Sequence, residues 1–157
     1  MGGFVLALVL MAVRPVPAAE TSLPIPRFVS LHSSKVNVRT GPGVRYPVEW
    51  VLLRRGIPVE VLAEFENWRK IRDWQGTEGW VHQSMLSGTR SVVVMNATRA
   101  LRRRAGEGTG MVARLEPGVV ARLIECRGEW CRIEASGFKG WIKRHEVWGV
   151  YDGETVN

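Results

Sequence analysis

An all-β protein of two small barrels in tandem is the fold class this sequence predicts. Three observations carry the prediction: an internal repeat, short β-rich segments between Gly-containing turns, and no convincing 3.6-residue apolar period beyond residue 18. Arg54-Arg55-Gly56-Ile57-Pro58-Val59-Glu60-Val61-Leu62 is answered by Glu116-Pro117-Gly118-Val119-Val120-Ala121-Arg122-Leu123-Ile124, 62 positions on. Glu66-Asn67-Trp68-Arg69-Lys70-Ile71 is answered by Gly128-Glu129-Trp130-Cys131-Arg132-Ile133 at the same offset, and Gly79-Trp80-Val81 by Gly140-Trp141-Ile142 at 61. Matching Gly, Trp and Ile at a nearly constant offset means two copies of one module. A chain of 157 residues holds two such units, and 45% hydrophobic content excludes wholesale disorder. Units of about 60 residues are marginal alone and lean on a staple or a packed neighbour.

Within each copy the strands are short. Val59–Leu62 and Val119–Ile124 are rich in β-branched residues, and Trp68–Arg72 alternates, with Ile71 on the face opposite Trp68. The stretches Asp73–Gly79 and Ala135–Gly140 carry the glycines a hairpin turn needs for positive φ. About five strands per copy are expected. Only Ser87 to Arg90 join the copies, too few residues for the barrels to tumble apart, so they are expected to pack together.

Ahead of the repeat, Phe4–Val13 is a ten-residue apolar run, too short to span a bilayer and of the length of a signal-peptide core. Small residues follow, and cleavage after Ala18 places Val16 and Ala18 at the positions a signal peptidase reads. No Lys or Arg precedes the run; an uncleaved anchor or a buried strand is the competing reading. The expected organisation is a signal peptide over 1–18, a linker over 19–29, domain one over 30–88, domain two over 91–150 and a tail over 151–157. No integral membrane segment is expected in the mature chain.

Val36-Asn37-Val38-Arg39-Thr40-Gly41-Pro42-Gly43, followed by Tyr46-Pro47-Val48, Gly56, Trp68 and Gly79-Trp80-Val81, resembles the bacterial SH3-like domain. The second copy resembles it more loosely, because Ala100-Leu101-Arg102-Arg103-Arg104-Ala105-Gly106 replaces the Asn-Val-Arg-x-Gly-Pro pattern. Val147-Trp148-Gly149-Val150-Tyr151 is similar to the ending of exported tandem members from Gram-negative bacteria. The resemblance implies two SH3-like barrels and a non-catalytic cell-envelope module in the periplasm of a Gram-negative bacterium. It implies peptidoglycan or an envelope protein as the partner, and it makes the Asn37–Gly43 segment the start of the loop flanking a ligand groove.

The candidate ligand-binding residues are Arg39, Tyr46, Trp68, Trp74 and Trp80. On a period of two, Trp68, Lys70, Arg72 and Trp74 share an outer, basic face. The same rule in copy two puts Trp130, Arg132 and Glu134 outside and Cys131 and Ile133 inside. Core packing is the alternative role for the repeat-matched tryptophans, and backbone geometry alone for the loop glycines. Cys126 and Cys131 bracket a four-residue turn between two expected antiparallel strands, which suits a disulfide in an exported chain. A redox dithiol would want Cys-x-x-Cys spacing. Zinc would want two further ligands, and neither His82 nor His145 has a Cys or His beside it at ligand spacing.

The net charge of +7 falls to +6 once Arg14 leaves with residues 1–18. Such a balance suits anionic partners or a plain solvated surface; export argues against nucleic acid. Arg102, Arg103 and Arg104 form a basic cluster with Arg99 and Arg114 nearby, either an anion contact or a solvated loop. His32, His82 and His145 are scattered and no Ser-His-Asp or Cys-His set has supporting motifs, so no catalytic residues, metal or cofactor are expected.

Overall fold

A computed structural model describes residues 23–157. The apolar leader over 1–18 and the first part of the linker lie outside the described residues. The first copy contributes β1 (Arg27–Leu31), β2 (Val36–Arg39), β3 (Val48–Leu52), β4 (Pro58–Phe65), β5 (Trp68–Arg72), β6 (Glu78–His82) and β7 (Leu86–Ser87). They form one antiparallel sheet in the order β3-β2-β6-β5-β4-β1-β7. The second copy contributes β8 (Ser91–Val94), β9 (Arg99–Arg102), β10 (Met111–Leu115), β11 (Val120–Arg127), β12 (Trp130–Ala135), β13 (Phe138–Lys143) and β14 (Val147–Trp148). Their order, β10-β9-β13-β12-β11-β8-β14, repeats the first topology strand for strand.

Each sheet wraps its own core: Leu31, Val36, Val38, Ile57, Val59, Val61, Ile71 and Val81 in one, and Val92, Val94, Leu101, Ala121, Leu123, Ile133 and Ile142 among others in the other. Alternation delivers these residues inward, as Ile71 and the Cys131–Ile133 pair show. Seven strands replace the five expected because β1 starts at Arg27, inside the stretch read as linker, and because two-residue strands follow the 3₁₀ turns Gln83–Met85 and Arg144–Glu146.

The glycines of the hairpins divide into two jobs. Gly76 and Gly137 adopt the left-handed region, with φ of 85° and 82°. Gly79 and Gly140 instead let one strand lie against its neighbour: a Cβ on Gly140 would sit 2.6 Å from the Arg102 carbonyl oxygen and 2.7 Å from Leu101 Cγ. A Cβ on Gly79 would sit 2.9 Å from the Arg39 carbonyl oxygen. Both Gly-Trp-hydrophobic triplets are therefore packing devices first.

The two sheets are clasped together, and the residues read as a tail do part of the work. Phe28 of β1 meets Trp148 edge-on at 4.8 Å and Tyr151 at 4.5 Å. The Tyr151 hydroxyl donates to Glu60 Oε1 at 2.8 Å, and Ser91 Oγ donates to the Gly56 carbonyl at 2.6 Å. Val156 exchanges backbone hydrogen bonds with Cys126 and packs on the second core. Glu154 accepts from Arg90 at 2.6 Å. Segment 151–157 is thus an ordered strap.

Candidate functional site

The outer face of the first sheet gathers its aromatic and cationic side chains in rows. Register places Trp80 beside Arg39 on one side and Lys70 on the other, and the next row holds Trp68 between Phe65 and His82. Residues opposite one another in an antiparallel pair point to the same face, so Trp80, Lys70, Trp68 and His82 form one continuous patch. Trp68 meets the His82 ring edge-on at 5.5 Å, and His82 Nδ1 shares a 2.7 Å hydrogen bond with Ser84 Oγ. Lys70 bridges to Glu78 at 3.1 Å while staying partly exposed.

The loop between β2 and β3 frames this patch. Arg39 Nη1 donates to the carbonyls of Tyr46, at 2.8 Å, and Val44, at 3.1 Å, which ties the loop to the sheet. The Tyr46 ring lies so close over Gly41 that a Cβ there would fall 2.5 Å from it. The Arg45 guanidinium stands 5.2 Å from the centroid of the same ring, a cation–π distance. Arg39 and Tyr46 are therefore loop-builders that also line the rim.

Trp74 is a correction. It was expected to share the outer face with Trp68, but β5 ends at Arg72 and alternation ends with it. Asp73 is buried and accepts from the backbone N–H groups of Gln75 (2.9 Å) and Thr77 (2.8 Å), an Asx turn that redirects the chain. Trp74 then packs against the first core.

The second sheet carries the matching face: Arg102 beside Trp141, Arg132 on its other side, and Trp130 opposite Lys143. Here an acid from the β9–β10 loop intervenes. Glu107 pairs with Lys143 and stands 3.5 Å from Arg102 Nη2. Its carboxyl is held below the usual range, first by the hydrogen bond and then by the charge of Lys143. The basic cluster consequently splits. Arg102 belongs to the sheet face, whereas Arg103 and Arg104 sit exposed in the loop, where the Arg103 N–H and the Arg104 carbonyl hold the turn through Gly110 and Thr109.

Cys126 and Cys131 are bonded, as their spacing suggested. They are register partners with Cα atoms 4.1 Å apart, closer than the hydrogen-bonded spacing of about 5.5 Å. The reason is visible in the backbone: the Cys126 N–H and carbonyl face Val156, so the pair facing Cys131 is the non-hydrogen-bonded kind. Among the described residues no group of His, Cys, Asp and Glu is arranged to hold a metal ion, and no helix is long and apolar enough to cross a membrane.

Sequence reasoning passed over three features of these faces. Glu107 and the Glu60–Tyr151 clasp depend on pairings between distant segments, and the edge strand β3, where Val48, Trp50 and Val51 are exposed, on its having β2 as its one neighbour in the sheet. A signal existed for β3 alone, in its unusually apolar Val-Glu-Trp-Val-Leu run.

Comparison with known proteins follows the same division of the chain. The model of the family described as "Bacterial SH3 domain" matches residues 32–88 and again 96–149. A curated Bacillus subtilis (strain 168) protein named "Putative N-acetylmuramoyl-L-alanine amidase YrvJ" is 27% identical over 126 residues. That match takes in 73% of this chain but only 24% of the relative, so the chain spans about a quarter of the relative's length. Among solved structures, an NlpC/P60 family protein from Bacillus cereus ATCC 10987 aligns at 14% identity and a TM-score of 0.36, over 80% of this chain and 57% of that one. NlpC2 from Trichomonas vaginalis aligns at 12% identity and a TM-score of 0.36, over 81% and 49%.

Proposed function

The chain belongs to the bacterial SH3 domain family, and from that membership we propose that it is an exported, non-catalytic binding protein of the cell envelope, with peptidoglycan as its ligand. The carrying observation is the outer patch of the first sheet, where Trp68, Trp80, Lys70 and His82 lie side by side on a surface rimmed by Arg39 and Tyr46. Aromatic rings flanked by donors suit a polymer of sugars and short peptides: the rings cover apolar sugar faces and peptide methyls, and the cations meet carboxylates. The amidase name of the curated relative, to which 73% of this chain aligns, supports a wall polymer. A periplasmic setting in a Gram-negative bacterium accords with the apolar leader and with the disulfide, which persists in oxidising compartments.

The test is co-sedimentation of the mature protein with purified sacculi. Wild type is expected to pellet, and Trp68→Ala and Trp80→Ala, once shown to be folded, are expected to stay in the supernatant. Pelleting that survives both substitutions would remove the patch from the reading.

A second reading is favoured by a separate observation. The β3 edge strand exposes Val48, Trp50 and Val51, and Val44 and Leu53 beside it are more exposed still, at 79% and 72%. An unpaired apolar edge is a place where another protein's strand can add. If sacculi fail to pellet the protein while cross-linking through position 50 recovers one specific envelope protein, docking replaces wall binding.

A further inference from the structure

We infer that the outer face of the second sheet is a carboxylate-binding site, that Glu107 fills it in the free protein, and that its ligand is a short peptide whose free C-terminal carboxylate displaces Glu107. This site is separate from the first-sheet patch, and it stands or falls without the wall-binding reading.

The chemistry of the ligand is written in the group that occupies the site. One carboxylate draws both Lys143 and Arg102, which arrive from different strands, β13 and β9. The Lys143 ammonium also lies 5.9 Å from the Trp130 ring centroid, and Trp141 is the register partner of Arg102. One cation over an indole, and a second beside another indole across the strand pair, make a pocket for an anion with an apolar flank.

The occupant is built to leave. Glu107 keeps 64% of its side-chain surface exposed, so little burial is lost when it swings away. Gly106 and Gly108 flank it with φ of 134° and 75°, and a Cβ on Gly108 would touch nothing within 4 Å. The base of the loop is pinned separately, by Thr109 Oγ1 donating to the carbonyls of Arg104 (2.8 Å) and Gly106 (3.1 Å). A pinned base with glycine on both sides of the acid allows the carboxylate to move without unravelling β9 and β10.

There is also room for what the carboxylate is attached to. Next to Arg102, whose register partner is Met111, a shallow cavity of about 270 Å³ is lined by Thr98, Arg99, Ala100, Met111 and Arg114. Met111 and Ala100 give it an apolar wall, and Arg99, Arg114 and the Thr98 hydroxyl supply donors for peptide carbonyls. A tethered competitor lowers apparent affinity by the fraction of time it occupies the site, and its removal restores that fraction.

The experiment follows the Trp130 and Trp141 indole N–H signals by NMR while acetyl-alanyl-alanine, with a free carboxyl, is titrated into the chain. The same peptide as its C-terminal amide is the control. Wild type is expected to bind weakly, Glu107→Gln about fivefold or more tightly, and the amide to leave both signals unmoved. Lys143→Gln, in a background that melts like wild type, is expected to abolish the response. Equal shifts with the amide, no gain with Glu107→Gln, or no response of either indole at millimolar peptide would each overturn the inference. Sacculus pelleting is recorded on the same variants, so loss of wall binding is read independently.

Discussion

Glu64 and Arg69 in the first barrel and Cys126 and Cys131 in the second stand at matched positions, 62 residues apart, and each pair joins the same two strands. One barrel holds the site with an ion pair, Arg69 Nε to Glu64 Oε1 at 3.1 Å, and the other with a disulfide. The exchange has a consequence for charge. Glu64 also neutralises Arg27, at 2.7 Å; in the second barrel the acid has become Cys126, and the corresponding Arg90 turns to Glu154 of the C-terminal strap. The outer faces differ in the same spirit, the first open and the second closed over by Glu107. One topology thus tolerates different fastenings, because the backbone ladder and the apolar core carry the fold while side-chain partners trade places around them.

The largest expected effect tests what the barrels share. Gly140→Ala drives a Cβ into the Arg102 carbonyl and Leu101, and Gly79→Ala into the Arg39 carbonyl and Val38. Each is expected to cost about 3 kcal/mol in urea unfolding, since backbone on one side and packed core on the other leave little to relax. Because Phe28, Trp148, Tyr151 and Glu60 clasp the sheets, both variants are expected to move one common transition. Two transitions, with only the altered barrel moving, would show that the clasp does not couple them.

The fastenings themselves come next. Breaking the disulfide, as Cys126→Ala with Cys131→Ala, is expected to cost about 2 kcal/mol, the chain-entropy value for so short a loop. Glu64→Gln is expected to cost about 1 kcal/mol or less, because the Glu64 and Arg69 side chains are still partly open to water. Urea midpoints of the two variants check the order, and equal losses would mean that the covalent bond holds the second barrel no better than the ion pair holds the first.

Much of this comparison is legible in the sequence. The tandem repeat, the all-β class, the disulfide and the inward set on β5 and β12 rest on local spacing and alternation, which the chain states directly. Alternation failed at Trp74 because Asp73 captures two backbone N–H groups and ends the strand, a competition between side chain and ladder that a period-two pattern does not register. Glu107 and Tyr151 were missed for a different cause: each meets partners 36 and 91 residues away, and nothing in their immediate sequence marks them. The strap over 151–157 looked like a tail because its neighbours are Gly and acidic residues, whereas its order comes from Val156 and Glu154 finding Cys126 and Arg90.

Tyr151→Phe probes the join between the barrels with one oxygen atom. Glu60 is 5% exposed and holds both Arg72 and the Tyr151 hydroxyl, so the variant is expected to cost about 1 kcal/mol. Burial first, and then the hydrogen bond and charge of Glu60, raise the Tyr151 pKa above its ordinary 10.0. A raised folded value means the contribution is complete below pH 10.0 and is lost as pH climbs beyond it. Wild type is therefore expected to lose stability in alkali more steeply than Tyr151→Phe, in urea midpoints read on either side of that value.

The smallest effect lies at the acid end and separates the strap from the barrel it serves. Burial alone would raise the Glu154 pKa, but the Arg90 hydrogen bond, the Tyr151 backbone N–H and the charges of Arg90 and Arg144 together bring it below 4.5. A lowered folded value places the contribution fully above 4.5, with loss as pH falls below it. Between about pH 6 and about pH 3, wild type is expected to lose slightly more stability than Glu154→Gln, because the variant has no carboxylate to protonate. Hydrogen exchange at the Val156 and Cys126 amides, whose ladder ties the strap down, is expected to quicken over the same interval in wild type and to change less in the variant. Parallel acid limbs in the two proteins would mean that Arg90 keeps its place on the Gly149 carbonyl without its acid, and that the strap is held by Tyr151 and Val156.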